Sequence, residues 1–178
     1  VLILGKPLGV GVMSAALKKG ALSDDGYRAM IAATTKLNTP GPDLARLPGV
    51  HAMTDVTGFG LLGHLYKMGR ASGVGMVLDR ATVPLVEGAA EALRDGFVSG
   101  GTRRNLEWVR HSVQAGPGID EDDLLLLADA QTSGGLLVVG ASNPVRDAAL
   151  ANGRLGAFYN AVAFVAALAL VPITRRLG

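Results

Sequence analysis

Thr54-Asp55-Val56-Thr57-Gly58-Phe59-Gly60-Leu61-Leu62-Gly63-His64-Leu65 decides how this chain is read. A short apolar lead-in over 50–53 predicts the end of a strand. Asp55 then stands as one carboxylate among two hydroxyls and two glycines, and beyond Gly60 the apolar residues Leu61, Leu65 and Met68 recur at the spacing of one helix face. Strand, polar glycine-rich turn and helix is a geometry that binds anions. Backbone N–H groups and the positive helix end point at one spot, and glycines let a ligand approach the main chain. A lone carboxylate there would repel a bare phosphate, so it makes sense mainly where a divalent cation bridges the two. Mg²⁺ binds in this way, through one or two carboxylates plus substrate phosphates. The same residues also read as a tight strand-to-helix turn in which Asp55 merely caps the helix.

Working outward, residues 1–4 predict a strand running into Gly5-Lys6-Pro7-Leu8-Gly9-Val10-Gly11. Lys6 reads either as a phosphate contact or as a solvated turn lysine. A short helix over 12–19 is closed by Gly20. Ser23 followed by Asp24 and Asp25 predicts a helix start, acids lying near its positive end, with Tyr27, Met30, Ile31 and Leu37 as the buried face and an end near Asn38. Residues 41–48 read as a loop or a short helical turn. His51 and His64 have no second ligand at a metal-type spacing and are read as structural histidines. Downstream, a strand is expected over 74–78 and a helix over 84–94. Gly100-Gly101-Thr102-Arg103-Arg104-Asn105 follows as a glycine turn before a helix that carries Trp108 and Val109; Arg103 or Arg104 could sit near phosphate or simply in solvent. Asp120-Glu121-Asp122-Asp123 opens a helix over 120–128, where acids belong in the first turn, and is not read as a metal cluster. Asp129-Ala130-Gln131-Thr132-Ser133-Gly134-Gly135 then leads into a strand of the fully buried type over 136–139. Gln131, Thr132 and Ser133 could hydrogen-bond a ligand or tie that loop to the Asp55 turn, and the tie is the expectation.

Composition narrows the classes. The 178 residues suit one domain with room for an appendage, and 49% hydrophobic content with 4% aromatics describes an aliphatic, alanine-rich interior. The 25 glycines fall in short turns, which favours a tightly turning α/β or α+β domain over a disordered or collagenous chain. A net charge of +2 with scattered basic residues gives no stripe for nucleic acid. The absence of cysteine excludes disulfides, thiolate metal sites and a cysteine nucleophile within this chain. No signal peptide opens the sequence, so a cytoplasmic setting is expected, and from the start without Met a piece of a longer protein is expected as well. Residues 1–141 are expected to form the domain and 142–178 an atypical tail. Within it 155–173 holds no charge and is followed by Arg175-Arg176, the length and flank of a minimal membrane span or of a buried core helix. Asn160 and Pro172 count against the span.

Residues 54–65 closely resemble the signature in the second half of the selenophosphate synthetase (selenide, water dikinase) family. Residues 129–135 resemble that family's second signature, which has proline where this chain has Ala130. The stretch 5–11 resembles its Thr-Lys-Pro-Leu-Gly-Thr-Gly motif, departing at Gly5 and Val10 with the loss of two hydroxyls. Thr102 and Asn105 match its glycine-threonine stretch. The resemblance implies an α+β fold, a layered mixed or largely antiparallel sheet covered by helices, as in the C-terminal domain of the aminoimidazole ribonucleotide synthetase-like superfamily, here with an extra apolar C-terminal helix. It implies ATP-dependent phosphorylation of selenide to selenophosphate, AMP and phosphate, with Mg²⁺ as cofactor and a homodimer as the assembly. Asp55 would be a metal ligand, and Thr57, Gly58, Gly60 and Thr102 would lie on the nucleotide side. No catalytic residue is expected here, because the family's Cys or selenocysteine, its partner lysine and most ATP-binding carboxylates lie in an N-terminal domain that this chain lacks. The alternatives are another ATP-dependent synthetase of the superfamily, a non-catalytic binding or dimerisation fragment, and a membrane-tethered fusion anchored by the tail.

Overall fold

The computed structural model describes residues 1–140 and the strand Ala163–Val165. Three-residue strand β1 (Leu2–Leu4) is buried at every position because it lies inside the sheet. Strand β2 (Val50–Asp55) forms one edge, β3 (Leu136–Gly140) lies between β2 and β1, and β4 (Ala163–Val165) lies on the far side of β1. Each neighbouring pair is antiparallel, so the sheet expected as mixed or largely antiparallel is antiparallel throughout its described strands. Leu4 sits opposite Leu137, and Asp55 opposite Leu136. The period-2 alternation divides the sheet residues between two layers. Leu2, Leu4, Leu137 and Val139 join the main core with the helices, while Ile3 and Val138 pack on the other side with Leu44, Leu47 and Met53.

Helices supply the layers. Helix α1 (Val10–Lys18) ends before Gly20, which takes a φ of 68° as a closing glycine should. Ser23 caps α2 (Asp24–Thr35) by accepting from the Gly26 N–H at 3.1 Å, as its sequence predicts. The buried face is different from the one expected. Gly26, Met30 and Ala33 face inward, whereas Tyr27, Ile31 and Leu37 are exposed. Choosing large residues over small ones rotated that face by one position, since the packed side needs a glycine and an alanine. Residues 41–48 do contain a helical turn, α3 (Gly41–Leu44).

Helix α4 (Gly60–Ser72) follows the β2 turn and closes on Gly73 in the left-handed region. The strand expected over 74–78 is not formed. Met76 and Leu78 lean on the core, but Val77 is exposed, and that stretch gains no strand partner in the described sheet. The helix expected over 84–94 is shorter, α5 (Ala89–Arg94). Its first part is instead extended and clips to the chain near Leu8, whose N–H donates to Pro84 and whose carbonyl accepts from Val86. Gly100 and Gly101 do not form a separate turn. They are the first turn of α6 (Gly100–Val109), capped by Ser99 on the Thr102 N–H at 3.0 Å. Helix α7 (Glu121–Leu127) is capped by Asp120, and its four leucines are all buried. Its acids behave as helix-start acids: Glu121 pairs with Arg110, and Asp123 lies 2.8 Å from Arg80 Nε as an ion pair without hydrogen-bond alignment.

The expected apolar C-terminal helix falls on the tail. Of that stretch only Ala163–Val165 is described, and it is strand β4 rather than helix; the rest of 141–178 lies outside the described residues. Among the described residues no helix is long and apolar enough to cross a membrane.

The join between β2 and β3 leaves no room for growth. A Cβ on Gly134 would stand 1.7 Å from the Val56 carbonyl oxygen, a backbone atom. Gly134→Ala is therefore expected to destabilise the chain by about 2–3 kcal/mol, at the upper end of overpacking penalties. Urea unfolding measures it, and an unchanged midpoint would show that the two segments can separate freely.

Candidate functional site

The turn after β2 is held by hydrogen bonds on several of its backbone groups. Val56 N–H donates to the Gly135 carbonyl at 2.8 Å, continuing the β2–β3 ladder beyond Asp55. Thr57 N–H donates to His64 Nε2 at 3.0 Å, and the Thr57 carbonyl accepts from Gly60 N–H and Gln131 N–H at 3.0 and 3.1 Å. The Gly58 carbonyl accepts from Asn105 Nδ2 at 2.7 Å, and the same amide reaches the Ala128 carbonyl at 3.1 Å. With these groups satisfied by protein, the turn offers a ligand its side chains and the exposed Gly58 edge.

Asp55 ends β2 with an exposed side chain, and its carboxylate makes no hydrogen bond or ion pair among the described residues. It does not cap α4: the cap position is Phe59, without a side-chain bond. A free carboxylate is a hard oxygen donor of the kind Mg²⁺ accepts, able to fill one or two of its positions. No group of three or more metal-ligating side chains converges among the described residues.

The other expected binding residues separate. Gly58 is exposed, and a Cβ there would meet nothing within 4 Å. Gly60 is buried with φ 68°, and a Cβ would fall 2.4 Å from the Ala128 carbonyl oxygen. Its glycine is thus required by close approach to α7 whatever lies outside. Thr102 is fully buried and donates from Oγ1 to Asp129 Oδ1 at 2.7 Å, which places it in the core rather than on the surface shared by Asp55 and Thr57. Arg103 and Arg104 are exposed on α6. Lys6 is neither a solvated lysine nor a surface phosphate contact. It is 2% exposed, donates to the carbonyls of Ser133, at 2.6 Å, and Lys36, and burial lowers its pKa, with Lys36 adding to the effect. It anchors the second signature loop, where Ser133 holds a φ of 52°.

Asp129 is the residue that sequence reasoning passed over. It is fully buried and accepts from Gly11 N–H at 2.8 Å, Thr102 Oγ1 at 2.7 Å and Gln131 Nε2 at 2.9 Å, with Val12 N–H also near. Gln131 in turn accepts from Val10 N–H at 3.3 Å. The expected tie between this loop and the Asp55 turn is thus made by Gln131, while Thr132 and Ser133 have exposed side chains. A single acid between two alanines, just past four leucines and just before Gln131, is the available signal, since a charge in such a setting must be paired if buried.

Burial raises the Asp129 pKa from 3.8 to about 6, against the pull of its hydrogen-bond donors. A carboxyl whose folded pKa lies above its unfolded one favours folding most when protonated. Its contribution is intact below about pH 4 and is lost as pH rises through about 6, a change of about 3 kcal/mol at ~1.4 kcal/mol per unit. Relative to Asp129→Asn, the native chain should therefore lose about that much stability between pH 4 and pH 7, measured by urea unfolding at both. A native chain that gains on the variant across this window would mean that the donors outweigh burial.

Comparison with known proteins gives this geometry its relatives. Residues 1–152 match the family model described as AIR synthase related protein, C-terminal domain. The chain is 52% identical over 147 residues to a selenide, water dikinase of Burkholderia pseudomallei (strain K96243), covering 83% of this chain and 42% of that protein. It is 51% identical over 138 residues to that of Pseudomonas straminea, covering 78% and 39%. It is 48% identical over 142 residues to that of Rhizobium meliloti (strain 1021), covering 77% and 39%. The chain thus spans about two fifths of the length of the curated relatives it matches. A buried polar node that fixes a glycine-rich turn, on an antiparallel sheet backed by helices, is how this sequence builds its fold: the chain belongs to the AIR synthase related protein, C-terminal domain family.

Proposed function

We propose that this chain is the C-terminal part of a selenide, water dikinase, which phosphorylates selenide at the expense of ATP and releases selenophosphate, AMP and phosphate. The observation that carries the reading is the Asp55 carboxylate. It is exposed, with no hydrogen bond or ion pair among the described residues, at the start of a turn held by His64, Asn105 and Gln131, in a chain about half identical over the aligned residues to proteins of that name. A carboxylate left unpaired beside a rigid turn does little for stability, so its use lies in what it binds.

In this reading Asp55 contributes one Mg²⁺ ligand and Thr57 stands beside it. Bound Mg²⁺ would supply charge neutralisation on the polyphosphate, which with positioning accounts for most of phosphoryl-transfer catalysis. The chain's own part is to hold a hard oxygen in place. The Val56 and Thr57 backbone bonds fix where β2 ends, and Gly58 leaves the approach open. Thr102 and Gly60 act beneath the surface, through Asp129 and Ala128, rather than by touching nucleotide. The nucleophile and the remaining ATP ligands belong to a preceding domain, and selenide and ATP reach the site only in its presence. A homodimer and a cytoplasmic setting accompany the reading. The tail keeps its proposed role as an apolar appendage.

Two measurements test it. The isolated chain, which has no cysteine, should release no AMP from ATP in the presence of selenide and Mg²⁺; steady turnover above a no-enzyme blank would overturn the division of labour. In a longer protein carrying this domain, Asp55→Asn should lower turnover by orders of magnitude with saturating ATP and Mg²⁺, because an amide keeps the shape and loses the charge. Its melting temperature should stay within a degree or two of the parent. A near-normal rate would remove Asp55 from the metal site and favour a non-catalytic binding module.

A further inference from the structure

We propose that His64 is a positioning residue for the Asp55 turn: its ring takes the Thr57 N–H and so leaves the Thr57 hydroxyl available to a ligand oxygen. This rests on the reading of Asp55 as a metal ligand. The geometry is local and closed. His64 lies on the second turn of α4, with Nε2 3.0 Å from Thr57 N and 3.4 Å from Thr57 Oγ1. A backbone N–H that donates to Nε2 requires a lone pair there, so the ring proton sits on Nδ1. That lone pair is aimed at the amide, with the hydroxyl more distant, so Thr57 O–H need not turn inward to be satisfied.

The ring is itself held. Phe59 meets it edge to face with centroids 5.9 Å apart, and the Lys67 ammonium lies 3.8 Å from the Phe59 centroid. Burial keeps the imidazole below the usual histidine range, partly offset by Asp55 and assisted by Lys67, which suits a neutral acceptor. Without that acceptor the Thr57 amide would have to find water or its own side-chain oxygen, and the turn next to Asp55 would lose its link to α4. Groups that orient a metal ligand in this indirect way typically carry about 10–100-fold in metal affinity.

The test uses a longer protein that carries this domain behind its ATP-binding domain, with Mn²⁺ and ATP as probe and free Mn²⁺ followed by electron paramagnetic resonance. His64→Phe keeps an aromatic ring against Phe59 and deletes the acceptor; His64→Gln restores an acceptor oxygen near the Nε2 position. Mn²⁺ affinity should fall about tenfold or more in His64→Phe and stay within about threefold of the parent in His64→Gln. Equal affinity in all three, or equal loss in both variants, overturns the inference. Asp55→Asn is run alongside. If it leaves Mn²⁺ binding unchanged, the metal reading itself falls, whereas loss of binding in Asp55→Asn with no effect of His64→Phe removes only His64. Should His64→Phe fail to fold, the ¹⁵N shifts of the parent's His64 ring decide: a protonated Nδ1 with an accepting Nε2 is required, and a proton on Nε2 overturns the proposal.

Discussion

The carboxylate of Asp129 is the constraint around which this domain is arranged. It draws together the start of α1 through Gly11 and Val12, the first turn of α6 through Thr102, and the loop before β3 through Gln131. A charge removed from water costs several kcal/mol unless its lone pairs are met, so these donors are conditions for its burial more than a surplus of stability. Satisfying them fixes three chain segments far apart in sequence. Gln131 passes the constraint to Thr57, and Val56–Gly135 passes it along the β2–β3 ladder. The exposed Asp55 is held in place by groups that it never touches.

Much of this was legible from residue order. The β2–turn–α4 unit, the Ser23 cap, the Gly20 end and the helix-start role of 120–123 follow from local chemistry that tertiary packing did not override. The misreadings share a cause. Side-chain size on α2 and β-propensity over 74–78 suggest burial and a strand, but contact in the folded chain selects Gly26 and Ala33 over Tyr27 and Ile31, and 74–78 joins no strand of the described sheet. Lys6 and Asp129 were not legible because their partners are mostly backbone atoms supplied from across the fold. No spacing rule records a carbonyl 127 residues away, such as that of Ser133.

Glycines show the same division between local and distant causes. Gly58 stands open and could serve a ligand, whereas Gly60, six residues from the start of the same signature, is forced by the Ala128 carbonyl. A motif read as a string treats both as ligand-facing. Only the second is dictated by the fold, and it would be needed in a relative that bound nothing.

The site therefore separates what folds the domain from what it binds. The N–H groups of Val56 and Thr57 and the carbonyls of Thr57 and Gly58 are taken up by Gly135, His64, Gln131 and Asn105, so the turn is held by the domain itself. A turn held in this way costs little to reorganise when a cation arrives, which is the condition for electrostatic stabilisation to act on the reaction instead of on the protein. On the proposed reading a single exposed carboxylate would then be enough for this chain's share: rigid placement would substitute for a cluster of ligands, and the remaining oxygens would come from phosphate and from another domain without disturbing the sheet that holds Asp55.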